Sequence, residues 1–464
     1  MALLHSSLCS CCAFFLLAFT FLQAPRVYGR ETENRYVVGV RSLLPSSVCS
    51  SPRDSNPSMM KVVHRHGPCS PLSPSRKPAD VKLLNQDQDR VNWLQRQISI
   101  ASNGTRASLA ATIPANSGGS IGTGNYVVKV GFGNPKNDFM VIFDTGSDIT
   151  WIQCKPCSGR NCYPQQDPLF DPSQSSTYSN ISCSSPSCKK LDSRNCSADS
   201  RCRYKIEYGD KSQSKGFFGS DTLTLTPSDV LPNFLFGCGD QSKGLFGRAA
   251  GLLGLGRRPV SLVSQSSPKY GGVFSYCIPS TSSKPGYLTL GSRRLSNVQF
   301  TPLRTFSNLP SFYFLDLVAI KVGGKQLPIS SKVFSTAGTV LDSGTVISRL
   351  PPSAYAALQS AFRKQMTRYK MVPALSILDT CYNFTGYDTV SVPTVALMFG
   401  GGTTLNVDFS GILYVPNVSQ ACLAFAPNGD AKDFGIIGNA QQKRFNVVYD
   451  IANRRIGFGA NGCN

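Results

Sequence analysis

Acidic side chains are scarce in this chain of 464 residues: 26 Asp and Glu stand against 47 Lys and Arg, a formal charge of +21. Residues 117–464 carry +14 of it and residues 1–116 carry +7. The surplus is spread through doublets (Lys189-Lys190, Arg257-Arg258, Arg293-Arg294, Arg454-Arg455) rather than gathered into a stripe, and no nucleic-acid-binding signature accompanies it. Weak, nonspecific attraction to polyanions such as cell-wall pectin or DNA is all that follows. Long apolar runs are missing too. AFFLLAFTFL (13–22) is the one dense run, too short to cross a bilayer, and no hydrophobic tail precedes Asn464. Neither a membrane span nor a lipid anchor is expected. Cys154 and Cys157 form a CxxC, but no nearby His and no second CxxC support zinc. No metal and no cofactor are expected.

Helical periodicity is equally sparse. From 124 to 460, Val, Thr, Tyr and Phe alternate with turns of Gly, Pro, Asn and Ser, the texture of an all-β protein. One clear helix follows Pro351-Pro352, with Tyr355, Leu358, Phe362 and Met366 along one face. A weaker one is predicted upstream, where Val91, Leu94 and Ile98 share a face of a polar segment.

The leader 1–29 reads as a secretory signal, with Val27-Tyr28-Gly29 at the cleavage end. A plastid transit peptide is the rival, since the first acidic residue is Glu31, but only one Arg occurs in the first 29 residues. Of 17 cysteines, Cys9, Cys11 and Cys12 fall in the leader and Cys49 and Cys69 in residues 30–116. Twelve follow residue 116, enough for six disulfides and suited to an oxidising compartment. Seven of the twelve lie in the apolar-poor stretch 154–202. Asn103, Asn180, Asn195, Asn383 and Asn417 head glycosylation sequons, Asn195 the least favourable because Cys196 sits inside its motif.

What is abundant is repetition. Asp-Thr-Gly-Ser (144–147) and Asp-Ser-Gly-Thr (342–345) each close a short apolar run, 198 residues apart. Leu252-Leu253-Gly254 follows the first copy and Ile436-Ile437-Gly438 the second, a repeat on the scale of a lobe. A carboxylate ending an apolar strand is costly unless stabilised. Twice over, it points to two half-sites that meet. Two carboxylates close enough to share one proton can activate water without a metal or a covalent intermediate.

FDTGSDITWIQC (143–154), YGD (208–210), DTLTL (221–225), FGCG (236–239), GLLGLGR (251–257), VLDSGTVISRLPPSAY (340–355) and IIGNAQQ (436–442) together resemble the pepsin-like aspartic proteases, in their plant nepenthesin-like branch. The resemblance covers about 124–463. KVVHRHGPCSP (61–71) and DQDRVNWLQRQ (87–97) look like the prosegment of such enzymes. It implies a bilobal fold with a cleft between two β-rich lobes and few short helices. The expected order is signal 1–29, prosegment 30–116, N-terminal lobe 117–300 with a Cys-rich insert at 154–202, and C-terminal lobe 301–464. The mature start is expected near 110–120. The implied function is a secreted endopeptidase made as a zymogen, a monomer acting on proteins or peptides, with the apoplast as its place and the vacuole or chloroplast as alternatives. Relatives that inhibit cell-wall glycoside hydrolases or bind plastid DNA supply the alternative functions. The intact Asp motifs argue against the inhibitors, and the leader and cysteine count against the plastid protein.

The roles implied are specific. Asp144 and Asp342 form the catalytic pair. Thr145 and Ser343 cross-link the two loops beneath it. Ser147 and Thr345 hydrogen-bond the outer carboxylate oxygens, and Gly146 and Gly344 let amides approach. Tyr208 is the tyrosine of a mobile flap, an exposed hairpin tip, supported by Trp151. Lys211 stands where the branch usually has Gly, with a possible preference for acidic substrates. The implied bridges are Cys154–Cys157, Cys162–Cys238, Cys183–Cys202, Cys188–Cys196, Cys277–Cys463 and Cys381–Cys422. In the prosegment, a Lys or Arg is expected to pair with the catalytic carboxylates at neutral pH and leave when they protonate, with His64 and His66 gaining charge in mild acid.

Overall fold

In the computed structural model, the described residues are 30–32, 34–50, 58–72, 79–102, 126–157, 161–208, 212–244, 246–292, 297–335 and 338–463. The leader, the expected mature start, Asn103, Lys211 and the doublet Arg293-Arg294 lie outside them.

The sequence repeat folds as a structural repeat. Strand Tyr126–Phe132 pairs antiparallel with Asn137–Asp144, and Gly251–Gly254 lies parallel to the latter, with Leu253 opposite Phe143 and Gly254 opposite Asp144. In the second half, Thr339–Leu341 lies parallel to Gly435–Ile437, with Leu341 opposite Ile437. Gly251–Gly254, Thr339–Leu341 and Gly435–Ile437 are buried at every residue, as central strands covered on both faces are. The closing glycines have a steric cause. A Cβ on Gly254 would sit 2.2 Å from the Asp148 carbonyl oxygen, and one on Gly438 would sit 2.6 Å from that of Val346.

A sheet at the base joins the halves. It runs Val298–Pro302, Arg455–Gly459, Asn446–Asp450, Val273–Cys277, Gly286–Leu290, Met60–His64 and Tyr126–Phe132. Met60–His64 is an interior strand, with Val62 opposite Gly286 and Val63 opposite Val127. Strand Arg35–Gly39 extends the second half by pairing with Thr389–Pro393. The N-terminal segment is thus woven into the fold at two places.

Helix Pro352–Gln365 begins at the expected proline and buries Tyr355, Leu358 and Phe362, with Met366 buried just past its end. Helix Asp80–Ser102 places Val91, Leu94 and Ile98 against Leu309, Phe312, Phe314, Val340, Phe434 and Ile436. Its apolar face therefore covers the second half where that half borders the first. No helix among the described residues is long and apolar enough to cross a membrane.

Seven disulfides occur among the described residues, and four expected pairings are corrected. Cys154 bonds Cys238, not Cys157, because Trp151–Gln153 runs beside Asp229–Lys243 with Ile152 opposite Cys238. Cys157 then closes a short loop with Cys162. Cys196 and Cys202 face each other in strand register, and each turns to a partner on the preceding loop: Cys183–Cys196 and Cys188–Cys202 replace Cys183–Cys202 and Cys188–Cys196. Cys277–Cys463 and Cys381–Cys422 are bridged. Cys49–Cys69 adds a link inside the N-terminal segment. Among the sequons, Asn180, Asn195 and Asn417 are exposed and Asn383 is half-buried.

Candidate active site

The two Asp-containing loops meet back to back. Ser343 N donates to Thr145 Oγ1 (2.9 Å), Thr145 N donates to Ser343 Oγ (3.2 Å), and the two hydroxyls lie 3.2 Å apart. These bonds tie the halves together beneath the carboxylates. Gly146 N donates to Asp144 Oδ1 (3.0 Å) and Gly344 N to Asp342 Oδ1 (3.1 Å), a symmetry that follows from the repeat. Neither glycine has room for a Cβ, which would fall 2.9 Å from Asp342 Oδ1 at Gly146 and 2.6 Å from Asp144 Oδ1 at Gly344. Asp144 is 2% exposed and Asp342 0%.

The symmetry fails at one hydroxyl. Thr345 Oγ1 donates to Asp342 Oδ2 (2.6 Å), as expected. The expected bond from Ser147 to Asp144 is absent, and Ser147 Oγ is buried without a partner. Asp144 Oδ1 is instead held by the Gly146 amide and by a cation from outside the two loops.

That cation is Arg90, on helix Asp80–Ser102. Its Nη2 lies 2.7 Å from Asp144 Oδ1 and 2.9 Å from Asp342 Oδ1, and its Nε lies 2.9 Å from Asp342 Oδ2. One nitrogen touching the inner oxygens of both aspartates shows how close they are. Burial alone would raise the Asp342 carboxyl, but the Arg90 charge and hydrogen bond, with those of Thr345 and the Gly344 amide, hold it below the usual carboxylate range. Burial likewise works against the Arg90 cation, yet the two carboxylates outweigh it and push the guanidinium further toward its charged form.

The same helix docks at further points. Asp87 accepts from Val346 N (2.6 Å) and Ile347 N (3.1 Å) and pairs with Arg349 (3.1 Å), with both side chains 0% exposed. Gln95 exchanges two hydrogen bonds with the Phe434 backbone. Beside the helix a cleft of about 370 Å³ remains, lined by Trp93, residues 146–149, Tyr208 and residues 308–312.

Tyr208 lies at the end of a hairpin, where Glu207 pairs with Gln213 and Tyr208 N donates to the Ser212 carbonyl. The Trp151 indole N–H donates to its hydroxyl (2.7 Å). The expectation of an exposed tip is corrected: Tyr208 is 8% exposed, because its ring packs edge-on against Phe246, which also meets Trp151. His64 and His66 are near the base sheet rather than at the carboxylates. His64 meets Tyr126 edge-on, and Arg65 Nε donates to His66 Nε2 (3.1 Å). Among the described residues no cluster of His, Cys, Asp and Glu could hold a metal.

Arg90, Asp87 and Arg349 were not singled out in the sequence as site residues. The available signal was Asp-x-x-Arg within DQDRVNWLQRQ, two opposite charges on one helical face beside an apolar stripe.

Two β-rich halves joined by a base sheet, each supplying one loop-borne aspartate to a common cleft, define the pepsin-like fold. Family models agree: one described as xylanase inhibitor N-terminal matches residues 126–292, and its C-terminal counterpart matches 312–460. An aspartyl protease family protein of Arabidopsis thaliana is 49% identical, with 94% of each chain covered. Aspartic proteinase nepenthesin-2 of Nepenthes gracilis is 38% identical, over 74% of this chain and 78% of that one. The solved structure of edgp superposes with a TM-score of 0.61 at 18% identity, covering 74% of this chain and 93% of that one. Basic 7S globulin from soybean gives 0.58 at 21% identity, covering 73% and 95%. The chain belongs to the pepsin-like family of plant aspartic proteases.

Proposed function

We propose that this chain is a latent aspartic endopeptidase. The observation that carries the reading is the position of Arg90 Nη2, within hydrogen-bond distance of an oxygen of each aspartate. With the helix gone, a water molecule in that place would touch both carboxylates. One carboxylate takes a proton from the water as its oxygen attacks the peptide carbonyl carbon. The other, carrying the shared proton, donates it to the carbonyl oxygen. Collapse of the resulting diol returns a proton to the leaving nitrogen and breaks the C–N bond. The Thr145–Ser343 cross-link holds the pair at its spacing. Tyr208, braced by Trp151, closes over the cleft as a flap and limits water.

In this reading residues 30–102 belong to a prosegment, and helix Asp80–Ser102 blocks the cleft until acid loosens it. The mature start near 110–120 follows the helix in the chain. Seven disulfides favour a secretory route and the apoplast. Proteins or peptides are the substrates, the enzyme acts as a monomer, and polyanion contact is nonspecific. An inhibitory, non-catalytic role is disfavoured by two aspartates that both keep their supporting amides.

The test is to express the full chain and follow cleavage of a denatured protein at pH 7 and after a shift to about pH 3, where a carboxylate pair can hold one proton and the Arg90–Asp342 hold is weakened. Activity should emerge only after the shift and should vanish in Asp144→Asn and in Asp342→Asn. Activity retained by either variant overturns the reading.

A further inference from the structure

Arg349 is a guanidinium with 0% exposure, an uncommon burial for a charge. Of its hydrogen bonds, only Nη1 to the Ile347 carbonyl (2.6 Å) stays within its own half of the fold. The others reach the prosegment helix: Nη2 to Asp87 Oδ2 (3.1 Å), and Nη2 and Nε to Gln88 Oε1 (3.3 and 3.4 Å). The Asp87 carboxylate is also gripped from the backbone, by Val346 N at Oδ1 and Ile347 N at Oδ2. Two successive amides and a guanidinium therefore converge on one carboxylate. That carboxylate comes from a helix that, in the reading above, departs.

The place of this cradle matters. Thr345, which bonds Asp342, immediately precedes Val346. On the helix, Asp87 and Arg90 are three residues apart on one face, roughly 4.5 Å along the axis. The group filling the cradle and the group filling the catalytic pair are thus neighbours on one ligand. Once the helix leaves, the Arg349 cation and both amides lose that acceptor. Two amides and a guanidinium already aimed at one point form a preorganised site for charge-assisted hydrogen bonds, so a replacement carboxylate is favoured there. The Ile347 carbonyl keeps the guanidinium aimed.

We infer that Val346 N, Ile347 N and Arg349 form a carboxylate-binding subsite of the released enzyme, selecting substrates with an Asp or Glu close to the cleaved bond, and that Asp87 is its built-in stand-in. The inference rests on the protease reading. It is separate from Lys211, which follows the YGD motif in the sequence.

The test uses full-length protein activated by acid, then assayed at about pH 5.5, where a substrate carboxylate is ionised. Peptide pairs differing only as Asp against Asn, or Glu against Gln, are scanned through the positions flanking the cut. Wild type should prefer the acid at one position by roughly tenfold to a hundredfold in kcat/KM, the range expected for a hydrogen bond to a charged group. Arg349→Met should bring that ratio near one, and Arg349→Lys should leave it intermediate, since charge remains but the fork does not. If Arg349→Met does not fold, the wild-type ratios and the lysine variant still decide. Wild type that cleaves peptides with no acid preference at any position overturns the subsite alone. Wild type that cleaves no peptide at all overturns the protease reading instead. An acid preference that survives Arg349→Met and is lost on Lys211→Gly assigns it to the flap and also overturns the subsite.

Discussion

Under the proposed function, latency turns on Arg90. Its bonds to Asp144 and Asp342 are charge-assisted and shielded from solvent, so their loss is costly. Arg90→Gln should weaken the helix's hold by about 2–3 kcal/mol, seen as measurable cleavage by the full chain at pH 7. The pH dependence of release follows from Asp342. Its carboxyl is held below the ordinary 3.8 while Arg90 is bound. A depressed acid contributes stability that is fully present above about 3.8 and is lost as pH falls through the lower bound-state value. Acid therefore promotes release and neutral pH opposes it. Activation half-times should stay level from pH 6 to about pH 4 and shorten only as pH falls below about 3.8, and Arg90→Gln should flatten that dependence. Tyr208 supplies another residue-scale prediction. Tyr208→Phe leaves the buried Trp151 N–H without an acceptor, a cost of about 1–3 kcal/mol. Because the ring is packed against Phe246, Tyr208→Ala should lower the melting temperature as well as turnover, which an exposed flap tip would not do.

Helix Asp80–Ser102 is held as an element, by an apolar stripe as well as by ion pairs. Leu94 is fully buried against the second lobe, so Leu94→Ala should cost about 2–5 kcal/mol of docking. The expected result is faster activation at a given pH, with an unchanged melting temperature for the processed enzyme, from which the helix is gone. The stripe Val91, Leu94 and Ile98 was legible in the sequence because helical periodicity is local. What it packs against was not, since Leu309, Phe312 and Phe434 lie hundreds of residues downstream. The role of Arg90 was hidden for the same reason: its partners are 54 and 252 residues away, and only docking brings them together. The Asp loops, by contrast, were legible because each aspartate, its glycine and its hydroxyl neighbour form one turn. The disulfides of 154–202 show the opposite case. Cysteine spacing does not encode register, and it is the register of Cys196 opposite Cys202, and of Ile152 opposite Cys238, that decides the partners.

At the scale of the whole molecule, the proposed latency would be built into the architecture and not laid over it. Strand Met60–His64 is an interior member of the base sheet, and Arg35–Gly39 is paired to the second lobe. Removing residues 30–102, as the proposed activation requires, would therefore open a sheet as well as empty a cleft. The bridge Cys277–Cys463 closes a loop of 186 residues and ties the chain end to that sheet. Its loss should cost about 5 kcal/mol in the chain-entropy view, measured as a drop in unfolding free energy for Cys277→Ala/Cys463→Ala. The most direct test of the central claim remains proteolysis by the full chain across a shift from pH 7 to about pH 3, run beside Asp342→Asn. A latent aspartic endopeptidase gives no cleavage at pH 7, cleavage after the shift, and none at either pH from the variant. Equal cleavage by wild type and Asp342→Asn, or none by wild type at any pH, would contradict it.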